Sequence, residues 1–176
     1  MTDLGVVILG IPIPSTSVTF LTVVAVHVMA GLVCVVAGVV AMLAPKRSGP
    51  HPTAGTVYYW SLAVVFVSMS ALAIDRWPAD NLLLVLGFLS LVAATVGRST
   101  RRRGGSLRLH LVGMGLSYIL LLIAFYLDNG PHLPLWRSLP AYAFWLVPSL
   151  IGLPLIARAV LRHPLVQRRG SPRTAP

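Results

Sequence analysis

The chain has 176 residues, of which 56% are hydrophobic and 10% are charged, and its net charge is +10. Soluble domains carry about 25% charged residues, and a soluble fold with so much apolar surface would aggregate. The composition therefore predicts an integral membrane protein and excludes an ordinary soluble nucleic-acid-binding domain, despite the basic charge. The single cysteine, Cys34, excludes an internal disulfide and a CxxC metal motif.

Five apolar stretches reach or approach the length of about 20 residues that a helix needs to cross a bilayer. In chain order they cover residues 17–44, 54–74, 81–96, 107–127 and 141–161. Prolines in the gaps predict helix ends, and prolines inside the fifth stretch predict a broken helix. We expect an all-α fold, a polytopic helical membrane protein with about five transmembrane helices in one bundle.

Three regions are predicted along the chain. Residues 1–16 are apolar but too short to span and contain two prolines, so we interpret them as an interfacial N-terminal segment. Residues 17–162 form the transmembrane bundle. Residues 163–176 are predicted to be a basic, disordered cytoplasmic tail.

Basic residues are segregated by the five predicted spans. One side carries twelve of the fourteen: Lys46, Arg47, Arg98, Arg101, Arg102, Arg103, Arg108, Arg158, Arg162, Arg168, Arg169 and Arg173. The other side carries only Arg76 and Arg137. The positive-inside rule then predicts a multi-pass protein of the cell membrane, with its N-terminus outside and its C-terminus in the cytoplasm. The arginine-rich loop is expected to meet anionic lipid headgroups, not nucleic acid.

Histidines supply the candidate binding residues. His27 lies inside the first span on a face shared with Gly31, Cys34 and Gly38, which points it toward other helices. His51 and His110 begin the second and fourth spans on the same side, so we expect them at one level, close enough to share a ligand. Neutral imidazole is a versatile metal ligand. The alternative is a structural role, with each imidazole bonded to a backbone carbonyl or a hydroxyl.

Acidic residues lie on the opposite side of the predicted bundle. Asp75, Asp80 and Asp128 are candidates for general acid or base catalysis, and His132 lies in the same outer region. Trp60, Trp77, Tyr126 and Trp145 are candidates for an aromatic pocket, or for the ordinary interfacial belt of a membrane protein. Asp75 next to Arg76 also fits a solvated ion pair.

Three of these segments resemble a bacterial membrane protein family of unknown function, DUF2306, over about residues 24–126. Its pattern has H…G in a first helix, HRxxGRxY opening the second and HxxxMxxSY opening a later one. The matching residues here are His27, Gly31, His51, Gly55, Tyr58, His110, Met114, Ser117 and Tyr118. Pro52 and Thr56 replace the two family arginines, so any function that depends on those arginines would be altered. The resemblance supports a functional role for the histidines but implies no particular activity.

Three functions stay open at this point. The first is a histidine-lined polar site that binds haem or a transition metal in a redox role, with His51 and His110 as ligands and His27, Met114 and Tyr118 nearby. The second is a membrane-embedded enzyme that acts on a lipid-soluble, isoprenoid-like substrate by acid/base chemistry. The third is a non-catalytic subunit that works as a homo-oligomer or with a partner in a membrane complex.

Overall fold

The structure, a computed structural model, describes residues 6–8, 11–13, 17–45, 49–75 and 77–162. Five long helices dominate these residues: α1 (Val18–Leu43), α2 (Pro50–Asp75), α3 (Asn81–Arg102), α4 (Leu107–Asn129) and α5 (Ala143–Arg162). Each is long and apolar enough to cross a membrane. The predicted all-α class is confirmed, and the chain is a multi-pass membrane protein.

Two short strands precede the bundle. β1 (Val6–Ile8) pairs antiparallel with β2 (Ile11–Ile13), with Val6 opposite Ile13. They lie in the segment that the sequence predicts to be interfacial, and its position relative to a membrane stays a prediction. The predicted tail at 163–176 lies outside the described residues.

The helices differ from the predicted ones in three main respects. α2 begins at Pro50, not at residue 54, because a first helical turn needs no backbone N–H bonds and so accepts Pro50 and Pro52. α3 continues to Arg102, six residues beyond the apolar stretch, since arginine is a good helix former. α5 is continuous through Pro148 and Pro154, so the predicted break is wrong.

Helices that follow one another in the chain pack together. The most extensive contacts join α1 to α2 and α3 to α4, and α5 packs against α4. Four helices meet in a buried core made of Cys34, Ala37, Tyr58, Leu62, Ala94 and Leu121. Large apolar side chains on the outer faces of all five helices are exposed, which is the surface that a bilayer would cover.

Two glycines let α3 and α4 approach closely. A Cβ atom at Gly113 would lie 2.8 Å from the Ala93 carbonyl oxygen and 2.9 Å from the Gly97 Cα. A Cβ at Gly97 would lie 3.0 Å from the Met114 backbone nitrogen. These neighbours are backbone atoms, which cannot rotate away, so only glycine fits at this crossing. By contrast, Gly31 of α1 faces open space, so it does not take part in the small-residue contact predicted for its face.

Candidate functional site

His51 and His110 meet at the end of the bundle where α1 and α3 finish and α2 and α4 begin. Their ring centroids are 6.4 Å apart, and the ring planes are nearly perpendicular at 85°. His51 lies in the first turn of α2, and His110 lies in the first turn of α4. The structure therefore places the two rings as neighbours, as the topology of the sequence predicts.

Each of these histidines is held by a backbone carbonyl on the helix before its own. Nδ1 of His51 is 2.8 Å from the carbonyl oxygen of Ala41, in the last turn of α1. Nδ1 of His110 is 2.9 Å from the carbonyl oxygen of Gly97 in α3. Ala41 lies among the final residues of α1, at the helix end where side chains commonly bind backbone carbonyls. Each histidine thus links the two helices of one hairpin: His51 links α1 to α2, and His110 links α3 to α4. The contact between the two rings joins the hairpins.

The two hydrogen bonds also fix the tautomer of each neutral ring. A carbonyl oxygen only accepts, so Nδ1 carries the hydrogen in both rings, and Nε2 of a neutral ring then has a lone pair. This is the arrangement found in protein metal sites, where the second ring nitrogen donates to a carbonyl or carboxylate and orients the ligand. The chemistry of the pair therefore suits a metal ion bound through Nε2.

Among the described residues, no group of three or more His, Cys, Asp or Glu is placed to hold a metal ion. Met114 packs against Gly97 in the α3–α4 contact, and the Tyr118 hydroxyl donates to the Val35 carbonyl oxygen at 3.2 Å. Tyr118 therefore belongs to the core between α1 and α4. A metal at the His pair would complete its coordination with water or with a group from outside this set.

His27 is not part of this pair. Its Nδ1 lies 3.0 Å from the Ser68 hydroxyl, which itself donates to the Val64 carbonyl oxygen at 2.7 Å. If the hydroxyl hydrogen is used there, Nδ1 of His27 donates to Ser68. The Asp128 carboxylate lies within electrostatic range of His27. His27 thus joins α1 to α2 in the other half of the bundle, away from the His51–His110 pair.

The candidate acids lie at the opposite end of the bundle from His51 and His110. Asp80 is buried just before α3, whereas Asp128 is exposed near the end of α4 and accepts a 3.4 Å bond from Asn129. His132 is exposed in a short 3-10 helix, and the Asp75 side chain lies outside the described atoms. No three of these groups cluster among the described residues. The enzyme hypothesis built on Asp75, Asp80 and Asp128 stays a prediction.

The four aromatic residues considered for a pocket are spread over the bundle. Trp60 lies ten residues into α2, whereas Trp77 follows the end of that helix. Tyr126 stacks on Trp136 with centroids 3.8 Å apart, and Trp136 contacts Phe144 at 6.2 Å. Tyr126, Trp136 and Phe144 thus form an aromatic cluster at the α4–α5 connection.

A buried chain of hydroxyl groups lies at the centre of the bundle. Ser90 donates to the Ser117 carbonyl oxygen at 2.8 Å, so its own hydroxyl oxygen accepts from the Ser117 hydroxyl at 3.3 Å. The Ser117 hydroxyl in turn accepts from the Tyr58 hydroxyl at 2.6 Å. Ser90 and Ser117 are fully buried. This chain links α2, α3 and α4, and Ser90 was not singled out from the sequence, although it is an isolated polar residue in a long apolar run.

Comparisons with family models, with curated proteins and with solved structures found no match to this chain. The resemblance to the DUF2306 family therefore stays a prediction.

Proposed function

We propose that this multi-pass protein of the bacterial cell membrane binds a transition metal at its paired histidines, His51 and His110, on the cytoplasmic side. One observation carries the proposal: the rings are 6.4 Å apart, and both are tethered through Nδ1 to backbone carbonyls. That combination leaves Nε2 as the ligand atom of each neutral ring. Imidazole nitrogen suits zinc, copper, nickel and iron, including the iron of haem.

The ring separation is close to what a shared metal requires. With metal–nitrogen bonds of about 2.0–2.1 Å, two imidazoles on opposite sides of one ion have centroids roughly 6 Å apart, and a tetrahedral ion needs about 5 Å. The observed 6.4 Å therefore needs a closure of roughly 1 Å for a tetrahedral ion. Because each histidine belongs to a different hairpin, metal binding would clamp the hairpins together. A redox role follows if the bound ion is copper or iron.

Metal analysis and an absorption spectrum of the protein purified in detergent test this proposal directly. We expect one transition-metal ion per chain, or a haem absorption band, in protein purified without a polyhistidine tag. His51→Ala and His110→Ala should each weaken the affinity for added Zn²⁺ by at least about tenfold, measured by calorimetric titration. Acidification should release the ion, because protonated imidazole is not a ligand.

His132→Ala is the matched control, since His132 is exposed and lies on the other side of the bundle. Its Zn²⁺ affinity should equal that of the unaltered protein. If purified protein holds no metal or haem and binds none at micromolar concentration, the metal site is rejected. His51 and His110 would then be only a polar latch between the hairpins.

Orientation is a separate prediction from the distribution of basic residues. A fluorescent protein fused after Pro176 should be active in the cytoplasm, and alkaline phosphatase fused at the same place should be inactive. A truncated fusion after Asn129, the last residue of α4, should show the reverse pattern. Phosphatase activity at Pro176 would contradict a cytoplasmic C-terminus and the positive-inside assignment.

A further inference from the structure

An open groove of about 270 Å³ lies between α2 and α3, apart from the paired histidines. Its lining combines two aromatic side chains from α2 with two hydroxyl groups and two arginines from α3: Tyr59, Trp60, Thr95, Ser99, Arg98 and Arg102. The four α3 residues are spaced i, i+3, i+4 and i+7, so they share one helical face. The groove is therefore a basic and hydroxyl-lined surface beside an aromatic wall.

Arg98 is held in place by α2. Its guanidinium carbon is 4.9 Å from the centre of the Tyr59 ring, a cation–π distance. One terminal nitrogen donates to the Gly55 carbonyl oxygen at 3.4 Å and to the Thr56 hydroxyl at 3.3 Å. A guanidinium has five N–H donors in a planar fork, so these two long bonds leave most of its donor capacity for a ligand. Arg98 is thus positioned and still able to bind an anion.

The position of the groove indicates which anion it meets. Arg98 lies four residues before the end of α3, about 6 Å along the axis, near the level where headgroups meet acyl chains. Trp60, ten residues into α2, is 62% exposed beside it, so its ring faces the region that acyl chains would occupy. In the proposed orientation this end of α3 is cytoplasmic, and the cytoplasmic leaflet carries anionic lipids.

We propose that this groove binds the phosphate group of one anionic phospholipid, with Arg98 and Arg102 as the charged ligands. Arginine forms paired hydrogen bonds with phosphate oxygens. The Thr95 and Ser99 hydroxyls line the same groove, and the Trp60 ring would lie against the acyl chains. The headgroup is thus held by a site, not merely attracted by the net charge of the loop.

The assignment of the leaflet rests on the proposed orientation, but binding itself does not. Lipid binding measured in detergent micelles is independent of orientation and of the histidine pair. A failed lipid measurement and a failed topology or metal measurement are therefore distinguishable.

The test is native mass spectrometry of the protein titrated with phosphatidylglycerol or phosphatidylcholine of the same acyl chains. We expect one phosphatidylglycerol to be retained per chain in preference to phosphatidylcholine. The double variant Arg98→Gln/Arg102→Gln should bind phosphatidylglycerol roughly 30-fold more weakly. Arg102→Gln alone should bind phosphatidylglycerol roughly fivefold more weakly. This variant keeps the Arg98 bonds between α2 and α3 intact.

Arg101→Gln/Arg103→Gln is the matched control. It removes the same charge from the same end of α3 but alters no residue of the groove. Its affinity for phosphatidylglycerol should stay within about twofold of that of the unaltered protein. Equal losses in the two double variants, or equal binding of both lipids, would show diffuse electrostatic attraction and overturn the proposal. Displacement of the lipid by millimolar inorganic phosphate would also overturn it, because the site would then be one for free phosphate.

Discussion

Gly113→Ala should lower the free energy of unfolding of the bundle by about 1–3 kcal/mol, the usual cost of overpacking a tight core. The new methyl carbon would lie within 3.0 Å of three backbone atoms of α3, which belong to Ala93 and Gly97. Since no side-chain rotation relieves that contact, α3 and α4 must separate. Unfolding by sodium dodecyl sulfate, followed by circular dichroism in detergent, measures the change.

Gly31→Ala provides the matched control for this substitution. It is also a glycine inside a transmembrane helix, but a Cβ there meets no atom within 4 Å. Alanine is the better helix former by roughly 0.5–1 kcal/mol, so this variant should be neutral or slightly more stable. If the two variants unfold alike, α3 and α4 do not cross closely at Gly113.

The same glycine contact connects stability with the candidate metal site. His110 is bonded to the Gly97 carbonyl oxygen, and Gly97 faces Gly113. A separation of α3 from α4 would lengthen that bond and release the His110 ring from its orientation. Gly113→Ala should therefore also weaken Zn²⁺ binding if His110 is a ligand, although residue 113 offers no ligand atom.

The sequence predicts the spans well because the membrane imposes a simple rule. A helix must be apolar over about 20 residues to cross, and all five predicted spans correspond to observed helices. The proximity of His51 and His110 also follows from the sequence, since alternating spans place the starts of α2 and α4 at the same end. The length and direction of each helix can therefore be predicted from the sequence without knowledge of side-chain packing.

The sequence predicts less well how each helix is rotated about its axis, that is, which of its faces is directed toward the core. Lipid-facing and core-facing side chains are both apolar, so hydropathy does not distinguish them. This is why the small-residue stripe predicts a helix contact for Gly31, which is not in one, whereas hydropathy gives no sign that Ser90 is completely buried. Hydropathy also assigns the arginines to a loop, which hides the groove, whereas α3 extends to Arg102. The spacing of Thr95, Arg98, Ser99 and Arg102 is a signal that could have indicated it.

Tyr58→Ala should be the most destabilising of these substitutions, with a loss of about 3–5 kcal/mol, as for other large aromatic side chains in cores. Tyr58 is 2% exposed and packs within the core where α1, α2, α3 and α4 meet. Its removal leaves a cavity beside Cys34 and also removes the donor to Ser117. The lost stability therefore has two sources, packing and hydrogen bonding.

Tyr58→Phe separates the two contributions. It keeps the ring and removes only the hydroxyl that donates to Ser117 at 2.6 Å. Hydrogen bonds between membrane helices average about 0.6 kcal/mol in double-mutant cycles, so this variant should lose far less stability than Tyr58→Ala. Tyr142→Ala is the exposed control, with an expected change within about 0.5 kcal/mol.

Labelling of the Cys34 thiol reports directly on the packing around Tyr58. Cys34 is the only cysteine of the chain and is fully buried, so a thiol-reactive dye should label the folded protein slowly and the unfolded protein fast. In Tyr58→Ala we expect labelling below the unfolding temperature, because the cavity opens beside the thiol, whereas Tyr58→Phe should label at the rate of the unaltered protein. Equal labelling and equal stability of Tyr58→Ala and Tyr142→Ala would show that Tyr58 does not occupy the four-helix core, and the described arrangement of α1 to α4 would be wrong.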